Sequence, residues 1–183
     1  MLIHRTSAAA RRQRGVTLIE MVIALAIVAL LVTMGLPSFM IWIQNTQIRT
    51  AAEAALNGLQ LTRAEAVRRN APVTFTLTGF DWTITDAAGT EIESRLSGEG
   101  SSNAIITVVG TMPLTFNGLG RPTGGVAAVG GSNDATQVRI SNPSGGDCQD
   151  GGGPMRCLEV RVTLTGQVRM CDPKLPSTDP QGC

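Results

Sequence analysis

The amino-acid sequence predicts an α+β protein in which one long N-terminal helix packs on an antiparallel β-sheet. Apolar and then amphipathic residues at helical spacing extend from residue 16 to residue 71. After Pro72 the apolar residues alternate with polar ones, which is typical of strands. All four cysteines lie in the last 36 residues, in a Gly-rich and Pro-rich region. With 183 residues, the chain is long enough for one helix and one small globular domain.

The start of the chain has the features of a membrane anchor. An uncharged stretch of 23 residues extends from Met21 to Ile43, and a helix of that length covers the roughly 30 Å hydrocarbon core of a bilayer. The preceding residues contain four arginines and no acidic residue, so the positive-inside rule places the N-terminus in the cytoplasm. These arginines are Arg5, Arg11, Arg12 and Arg14. We therefore expect a transmembrane helix followed by a domain outside the cytoplasm.

Glu20 places a carboxylate at the edge of the apolar stretch, where an unpaired charge costs a few kcal/mol. Cleavage between Gly15 and Val16 would create an ammonium group four residues before Glu20. That amine, on the same or on a neighbouring subunit, would neutralise the carboxylate. Cleavage would also leave eleven basic residues against fourteen acidic ones, so the mature chain has no general attraction to nucleic acid.

Residues 14–21, Arg-Gly-Val-Thr-Leu-Ile-Glu-Met, resemble the class III signal of type IV prepilins and type II secretion pseudopilins. The resemblance implies that a prepilin peptidase cleaves after Gly15 and methylates the new N-terminus at Val16, where the family usually has Phe. It also implies that Glu20 sets the register with a neighbouring subunit during assembly. The implied architecture is the type IV pilin fold, in the bacterial inner membrane and then in a filament.

Two other interpretations of the N-terminal segment compete with this one. An ordinary secretory signal needs a small-x-small cleavage site after a shorter apolar stretch, and residues 33–35 and 36–38 are poor sites. A plain signal-anchored membrane protein explains the span and its orientation. It does not explain why Glu20 and the sequence Gly-Val-Thr-Leu-Ile-Glu of residues 15–20 occur together.

Helical periodicity continues beyond the membrane segment, with a stripe of apolar residues along one face. The stripe consists of Ile48, Ala52, Ala55, Leu56, Leu59 and Ala66. Its partner is either the protein's own sheet, which is the default interpretation, or the helices of neighbouring subunits. Glu65 is spaced to pair with Arg69, and Asn70 and Pro72 end the helix.

Two further features of the helix depend on the family resemblance and on helix-breaking residues. Residues 59–69, followed by Val73, resemble the GspH/FimT branch of the pilin-like proteins. Pro37, close to Gly35, lies where many pilins carry a proline that kinks the helix. We therefore predict a helix of about 50 residues with a kink at these two residues.

The remainder of the chain predicts short strands joined by long loops. The alternating residues Val73, Phe75 and Leu77, and then Phe80, Trp82 and Ile84, predict a hairpin that turns near Gly79. Further predicted strands cover residues 104–109, 114–116, 137–140 and 158–164. They predict one antiparallel sheet with a single apolar face. Eleven glycines between residues 118 and 153 indicate loops with little core of their own.

The even number of cysteines in this loop-rich region indicates disulfides formed in an oxidising compartment. Three connectivities are possible, and the short closures favour Cys148 with Cys157 and Cys171 with Cys183. A zinc site is less favoured, because no pair has the Cys-x-x-Cys spacing and the single histidine, His4, lies in the leader.

No catalytic constellation is recognised, and we predict neither an enzyme nor a cofactor nor a metal site. The mature chain has no His and no Tyr, and it lacks nucleophile and phosphate-binding motifs. Calcium binding by loop aspartates is the weaker interpretation, because their spacing fits no defined loop and solvated acids are commoner. These aspartates are Asp147, Asp150, Asp172 and Asp179.

Residues 165–171 resemble the C-terminal hairpin of FimT-like and FimU-like minor pilins. Some FimT-like members are thought to bind DNA phosphates there through a Gly-Arg-x-Arg element. This chain has Gly166 and Arg169 but Gln167 at the first Arg position. The alternative function is therefore a DNA receptor for transformation, with contacts from Arg169 and from cations expected nearby. These cations are Arg139, Arg156 and Arg161.

The sequence thus predicts a non-catalytic minor pilin or minor pseudopilin. Its expected segments are a cleaved leader (residues 1–15), a transmembrane helix (16–43), an amphipathic periplasmic helix (44–71) and a periplasmic β-rich domain (72–183). Its expected partners are prepilin peptidase, other pilin or pseudopilin subunits and the inner membrane.

Overall fold

The structure is a computed structural model that describes residues 15–79, 81–96, 100–123, 128–129 and 132–183. The predictions for the four leader arginines, for His4 and for Phe80 lie outside the described residues. The chain divides into two compact units, Met1–Ser38 and Phe39–Cys183. Each unit is described by itself.

One helix, α1, extends from Leu18 to Arg69 and comprises 52 residues, which confirms the predicted helix of about 50. It ends in a Schellman motif, because the N–H of Asn70 donates to Val67 O and the N–H of Ala71 donates to Ala66 O, both at 3.2 Å. Asn70 has a positive φ of 49°. Asn accepts this left-handed conformation better than most residues, so Asn70 ends the helix as predicted.

The apolar stripe of α1 is covered by the protein's own sheets, which confirms the default interpretation. Its members are buried except Leu56, which is half-buried. Contact is closest at Gly58, where an added Cβ would lie 2.8 Å from Phe75 Cε2 and 3.2 Å from Trp82 Cε2. Gly58 therefore allows the helix and the aromatic side chains of the sheet to meet.

The described residues form nine strands in two antiparallel sheets. The first sheet has the order β3-β2-β1-β5-β6, and the second has the order β4-β7-β8-β9. The strands are β1 (Val73–Thr78), β2 (Asp81–Asp86), β3 (Glu91–Arg95), β4 (Ile105–Gly110), β5 (Leu114–Phe116), β6 (Pro122–Thr123), β7 (Asp134–Ser141), β8 (Leu158–Thr163) and β9 (Val168–Cys171). All the strands predicted from alternation are present, and the β1–β2 hairpin turns at Gly79 as expected.

The prediction of a single sheet was wrong. Strand β4 pairs with β7, whereas β5, only three residues further on, pairs with β1. Gly110 ends β4 with a φ of 110°, and Pro113 has no N–H to continue a ladder. The chain therefore leaves one sheet and enters the other between these two residues. Buried side chains from both sheets and from α1 form one hydrophobic core.

Candidate functional site

The helix begins immediately after the predicted cleavage position. Residues 15–17 are not helical, and the side-chain oxygen of Thr17 accepts a hydrogen bond from the N–H of Glu20 at 3.3 Å. Thr17 therefore caps the helix, and Thr-x-x-Glu is the pattern of a capping box. The sequence analysis missed this role of Thr17, although the pattern stands directly before an apolar run. Gly15 and Val16 are exposed and lie outside the helix, before the cap.

Glu20 lies in the first turn of α1, where its negative charge is favourable to the positive end of the helix dipole. The residue is exposed, and none of the ion pairs found among the described residues includes it. The carboxylate is therefore available to a cation from outside the described chain. The assembly role of Glu20 stays a prediction.

The N-terminal unit presents an apolar surface without a cover. From Leu18 to Leu36, its large apolar side chains are about half exposed or more. Among the described residues, α1 is long enough and apolar enough to cross a membrane by length and composition. Between Leu18 and Leu36 the helix has none of the polar outer face that a water-facing helix carries.

Gly35 and Pro37 lie inside α1, and the helix continues through both residues. The Ser38 hydroxyl donates to the main-chain oxygen of Gly35 at 2.9 Å. Pro37 has no N–H, so the carbonyl of Thr33 loses its usual partner four residues further on. The kink at these residues remains a prediction.

Polar side chains at residues 44–47 attach the loops of the domain to α1. Asn45 Oδ1 accepts a hydrogen bond from the main-chain N–H of Arg156 at 2.7 Å, and Asn142 Nδ2 donates to Gln47 Oε1 at 3.2 Å. Asn142 is fully buried. The loops that follow β7 are thus fixed to the helix directly after its apolar stretch.

The two disulfides join Cys148 to Cys157 and Cys171 to Cys183, which are the two pairs that the sequence analysis favoured. Each of the four sulfurs is bonded to its partner in one of these two disulfides, so none is free to bind zinc as a thiolate. The second disulfide holds the last residues beside β9, where the N–H of Asp172 donates to the main-chain oxygen of Gln181 at 2.7 Å.

Arginines and acidic residues alternate on the polar face of the second sheet. Arg161 pairs with Glu159 at 2.8 Å and with Asp134 at 3.4 Å, and it donates to the main-chain oxygen of Cys183 at 3.2 Å. Only 16% of the Arg161 side chain is exposed, and its two carboxylate partners are buried. The positive charge of Arg161 is therefore compensated inside this network.

Arg139 connects to the same network. It pairs with Asp150 at 2.6 Å and with Glu159 at 3.2 Å. The hydrogen bond that Arg139 donates to Asp150 is the main cause that raises the pKa of Arg139 above its ordinary value. The charge of Arg139 is therefore held between two carboxylates.

The structure does not support the predicted DNA contacts. Arg156 pairs with buried Asp172 at 2.7 Å, and Arg169 donates to the main-chain oxygens of Gly182 and Cys183 at 3.5 and 3.4 Å. Arg139 and Arg161 have carboxylate partners as well, as described above. Phosphate affinity grows with the number of uncompensated cations that reach the backbone. In the described part of this sheet each of these four arginines already has a protein partner, so the polar face does not offer the several uncompensated cations that binding along a DNA backbone requires.

Gly166, the other residue of the suspected DNA-binding element, has a structural role. It has a φ of 88° in the turn between β8 and β9. A Cβ at this position would overlap the main-chain oxygen of Gly120. The turn and this close approach explain the glycine without a nucleic acid.

The four loop aspartates form no metal-binding group among the described residues. Asp150 and Asp172 are paired with arginines, and Asp179 accepts the N–H of Gln181 at 2.8 Å. Asp172 is only 4% exposed, so the expectation that all four are solvated was wrong for this residue. Its arginine partner compensates for the burial.

Comparison with known proteins gives two family matches. The model of the type II transport protein GspH matches residues 51–166, which is more than half of the chain. The prokaryotic N-terminal methylation motif matches residues 10–36, which include the predicted cleavage position and Glu20. No curated protein matches the chain at a significant level.

Among solved structures, the fold is similar to the crystal structure of the type IV minor pilin FimU from Pseudomonas aeruginosa. The identity is 16%, the TM-score is 0.52, and the match covers 78% of this chain and 98% of that one. The solution structure of GspH from Escherichia coli matches with 12% identity and a TM-score of 0.46, over 71% of this chain and 91% of that one. The long apolar helix, the antiparallel sheets and the disulfides agree with the type IV pilin fold. The chain therefore belongs to the GspH family of pilin-like proteins and carries an N-terminal methylation motif.

Proposed function

We propose that the chain is a non-catalytic minor pilin or minor pseudopilin that is cleaved between Gly15 and Val16, methylated at Val16 and inserted into a filament through α1. The observation that carries the proposal is the start of the helix. An exposed, non-helical Gly15–Val16 segment stands directly before a capped apolar helix with Glu20 in its first turn. A peptide bond outside the helix is accessible to a protease, and the new amine would supply the missing counter-charge.

The segments have separate tasks in this proposal. Residues 1–15 form the leader, residues 16–43 hold the protein in the inner membrane, and residues 44–71 attach the domain of residues 72–183 in the periplasm. The exposed apolar surface of the first unit then passes from lipid to neighbouring helices during assembly. The host machine is a type II secretion system or a type IV pilus, because the family matches GspH and the fold resembles FimU.

The first test is the N-terminus of the native protein. Mass spectrometry of the protein purified from its membrane should find N-methylated Val16 as the first residue. A Gly15→Val variant should keep the full leader, because the position before the cut then carries a β-branched side chain. A native protein that still begins at Met1, or one cut elsewhere, contradicts the proposal.

The second test concerns Glu20. Glu20→Ala should be cleaved and inserted normally but recovered in sheared or overproduced filaments in much lower amounts. Glu53→Ala is the matched control, since Glu53 is a partly exposed acid on the same helix with its own partner, Arg49. Normal recovery of the Glu20 variant would refute the role assigned to this carboxylate.

A further inference from the structure

A groove of about 550 Å³ lies beside α1 where its apolar stretch ends. One stripe of the helix forms one wall, because Trp42, Asn45 and Arg49 are three and four residues apart. Arg156, Met170 and Asp172 belong to the opposite side. We call this cavity the interface groove.

The position of the interface groove along the sequence corresponds to the surface of a bilayer. Trp42 is the penultimate residue of the stretch from Met21 to Ile43, and Arg49 is the first charged residue after it. Phe39 and Trp42 stack with ring centroids 5.9 Å apart, and both are more than half exposed. Aromatic residues at this position are typical of the boundary between hydrocarbon and headgroups.

Arg49 is about 10 Å further along the helix than Trp42, at about 1.5 Å per residue. Arg49 binds Glu53 one turn further along the helix, and both Arg49 and Trp42 line the groove. Along the helix the aromatic side chains come first and the arginine follows, which is the order of acyl chain and phosphate in a lipid.

Both arginines of the groove keep donors free. Arg49 uses Nε to bind Glu53 at 2.8 Å, and Arg156 uses Nε to bind Asp172 at 2.7 Å. Among the hydrogen bonds of the described residues, the terminal Nη nitrogens of these two arginines have no partner. The side chains are 69% and 50% exposed. A guanidinium group held by its Nε can therefore present its remaining N–H groups to a second anion.

The main chain of Arg156 is itself fixed to the helix, because its N–H donates to Asn45 Oδ1 at 2.7 Å. Asp172, which binds its guanidinium group, is buried beside the second disulfide. The fold therefore fixes the position of the Arg156 guanidinium group. Such prior placement reduces the entropy that a ligand must overcome on binding.

We propose that the interface groove binds the phosphate headgroup of an anionic phospholipid in the periplasmic leaflet. The aromatic pair contacts the upper acyl chain, and Arg49 and Arg156 bind the phosphate oxygens. This inference rests on the proposed function, since it requires α1 in a membrane. An apolar helix of a neighbouring subunit fits the groove less well, because it would bury the Nη donors without acceptors. The bound lipid would hold the domain at the membrane until the subunit leaves for the filament.

The test uses the full cleaved chain, extracted in detergent from membranes that contain phosphatidylglycerol and analysed by native mass spectrometry. The wild-type protein should retain phosphatidylglycerol in preference to added phosphatidylcholine. Arg49→Gln should reduce retention about fivefold, since one arginine near an anionic surface contributes about 1 kcal/mol. Arg49→Gln combined with Arg156→Gln should abolish the preference.

Arg68→Gln is the matched control, because Arg68 is also exposed on α1 and paired with a glutamate. It lies at the other end of the helix and should leave lipid retention unchanged. Arg49→Gln removes an exposed side chain and preserves the fold, so a loss of binding in that variant is not a loss of folding. Equal retention in wild type and Arg49→Gln overturns the inference. Cross-links from Trp42 to another subunit in membranes, without retained lipid, overturn it as well.

Failure of the inference is distinguishable from failure of the proposed function. A chain that enters the membrane and is cut before Val16, but shows no lipid preference, refutes only the lipid site. A chain that is found outside the membrane, or that still begins at Met1, refutes the proposed function itself.

Discussion

Replacement of Arg161 by Met should destabilise the domain strongly, although no catalytic or binding role is assigned to this residue. The substitution keeps an apolar stem of similar length and removes the guanidinium group. It removes the arginine that pairs with both buried carboxylates, Glu159 and Asp134. It also removes the donor to the main-chain oxygen of Cys183.

The magnitude follows from the partners that remain. Breaking a buried ion pair by removal of one partner costs about 3–5 kcal/mol. Glu159 keeps Arg139 at 3.2 Å, and Asp134 keeps the amide of Gln137 at 3.1 Å. We therefore expect a loss of about 2–3 kcal/mol in the free energy of unfolding, below the full value for an uncompensated charge.

Urea unfolding of the detergent-solubilised chain measures this loss. The fluorescence of buried Trp82 reports on the domain in a Trp42→Phe background. The control Arg68→Met should leave the free energy of unfolding nearly unchanged, because Arg68 is exposed and Glu65 keeps its second arginine. Adding Glu159→Gln to Arg161→Met should recover part of the loss. Equal stability of Arg161→Met and the parent would refute the assignment of this network as a compensated buried cluster.

Three further predictions concern the ends of the helix and the tail. Hydrogen bonds from Arg68 and Arg69 lower the pKa of Glu65 to about 2. The ionised carboxylate therefore stabilises the fold above its unfolded pKa of about 4.5, and this contribution is lost as the pH falls toward 2. NMR titration should find that midpoint, and Glu65→Gln should remove this part of the acid sensitivity. Thr17→Ala should reduce helix stability at its start by about 1 kcal/mol, with faster amide exchange at Glu20 and recovery in Thr17→Ser. Replacing both Cys171 and Cys183 with Ser should cost about 3 kcal/mol in urea unfolding, from the entropy of closing a short loop.

The long helix and most strands were predictable because each rests on local periodicity. The side chains that face the core are indicated by the apolar stripe from Ile48 to Ala66 and by the alternation after Pro72. Strand β3 was missed because three of its five residues are charged, and β6 was missed because it has only two residues. Both are edge strands, where pairing and not alternation decides the structure.

The division into two sheets was not predictable by the same means. Alternation identifies a strand's faces but not its neighbours in space, and the choice of β7 over β5 as the partner of β4 is a non-local pairing. The arginines near the C-terminal hairpin show the same limit. Their positions suggested a cationic surface, but carboxylates from other parts of the fold, such as Asp134 at the start of β7 and Asp172 after β9, compensate them. A count of nearby positive residues in sequence therefore overstated the charge available to DNA.

The apolar surface between Val16 and Trp42 constrains every account of this protein. Burial of a large apolar side chain stabilises by about 1.5–3 kcal/mol, so exposing even a few of them to water would offset the 5–15 kcal/mol that stabilises a typical domain. This surface must lie in lipid or against other helices, and the proposed function requires it to pass from one to the other. Glu20 moves with this surface, and neither in lipid nor among other helices can water compensate its charge fully. The counter-charge must therefore travel with the helices, which the amine of Val16 on this or a neighbouring subunit would do and a soluble cation would not.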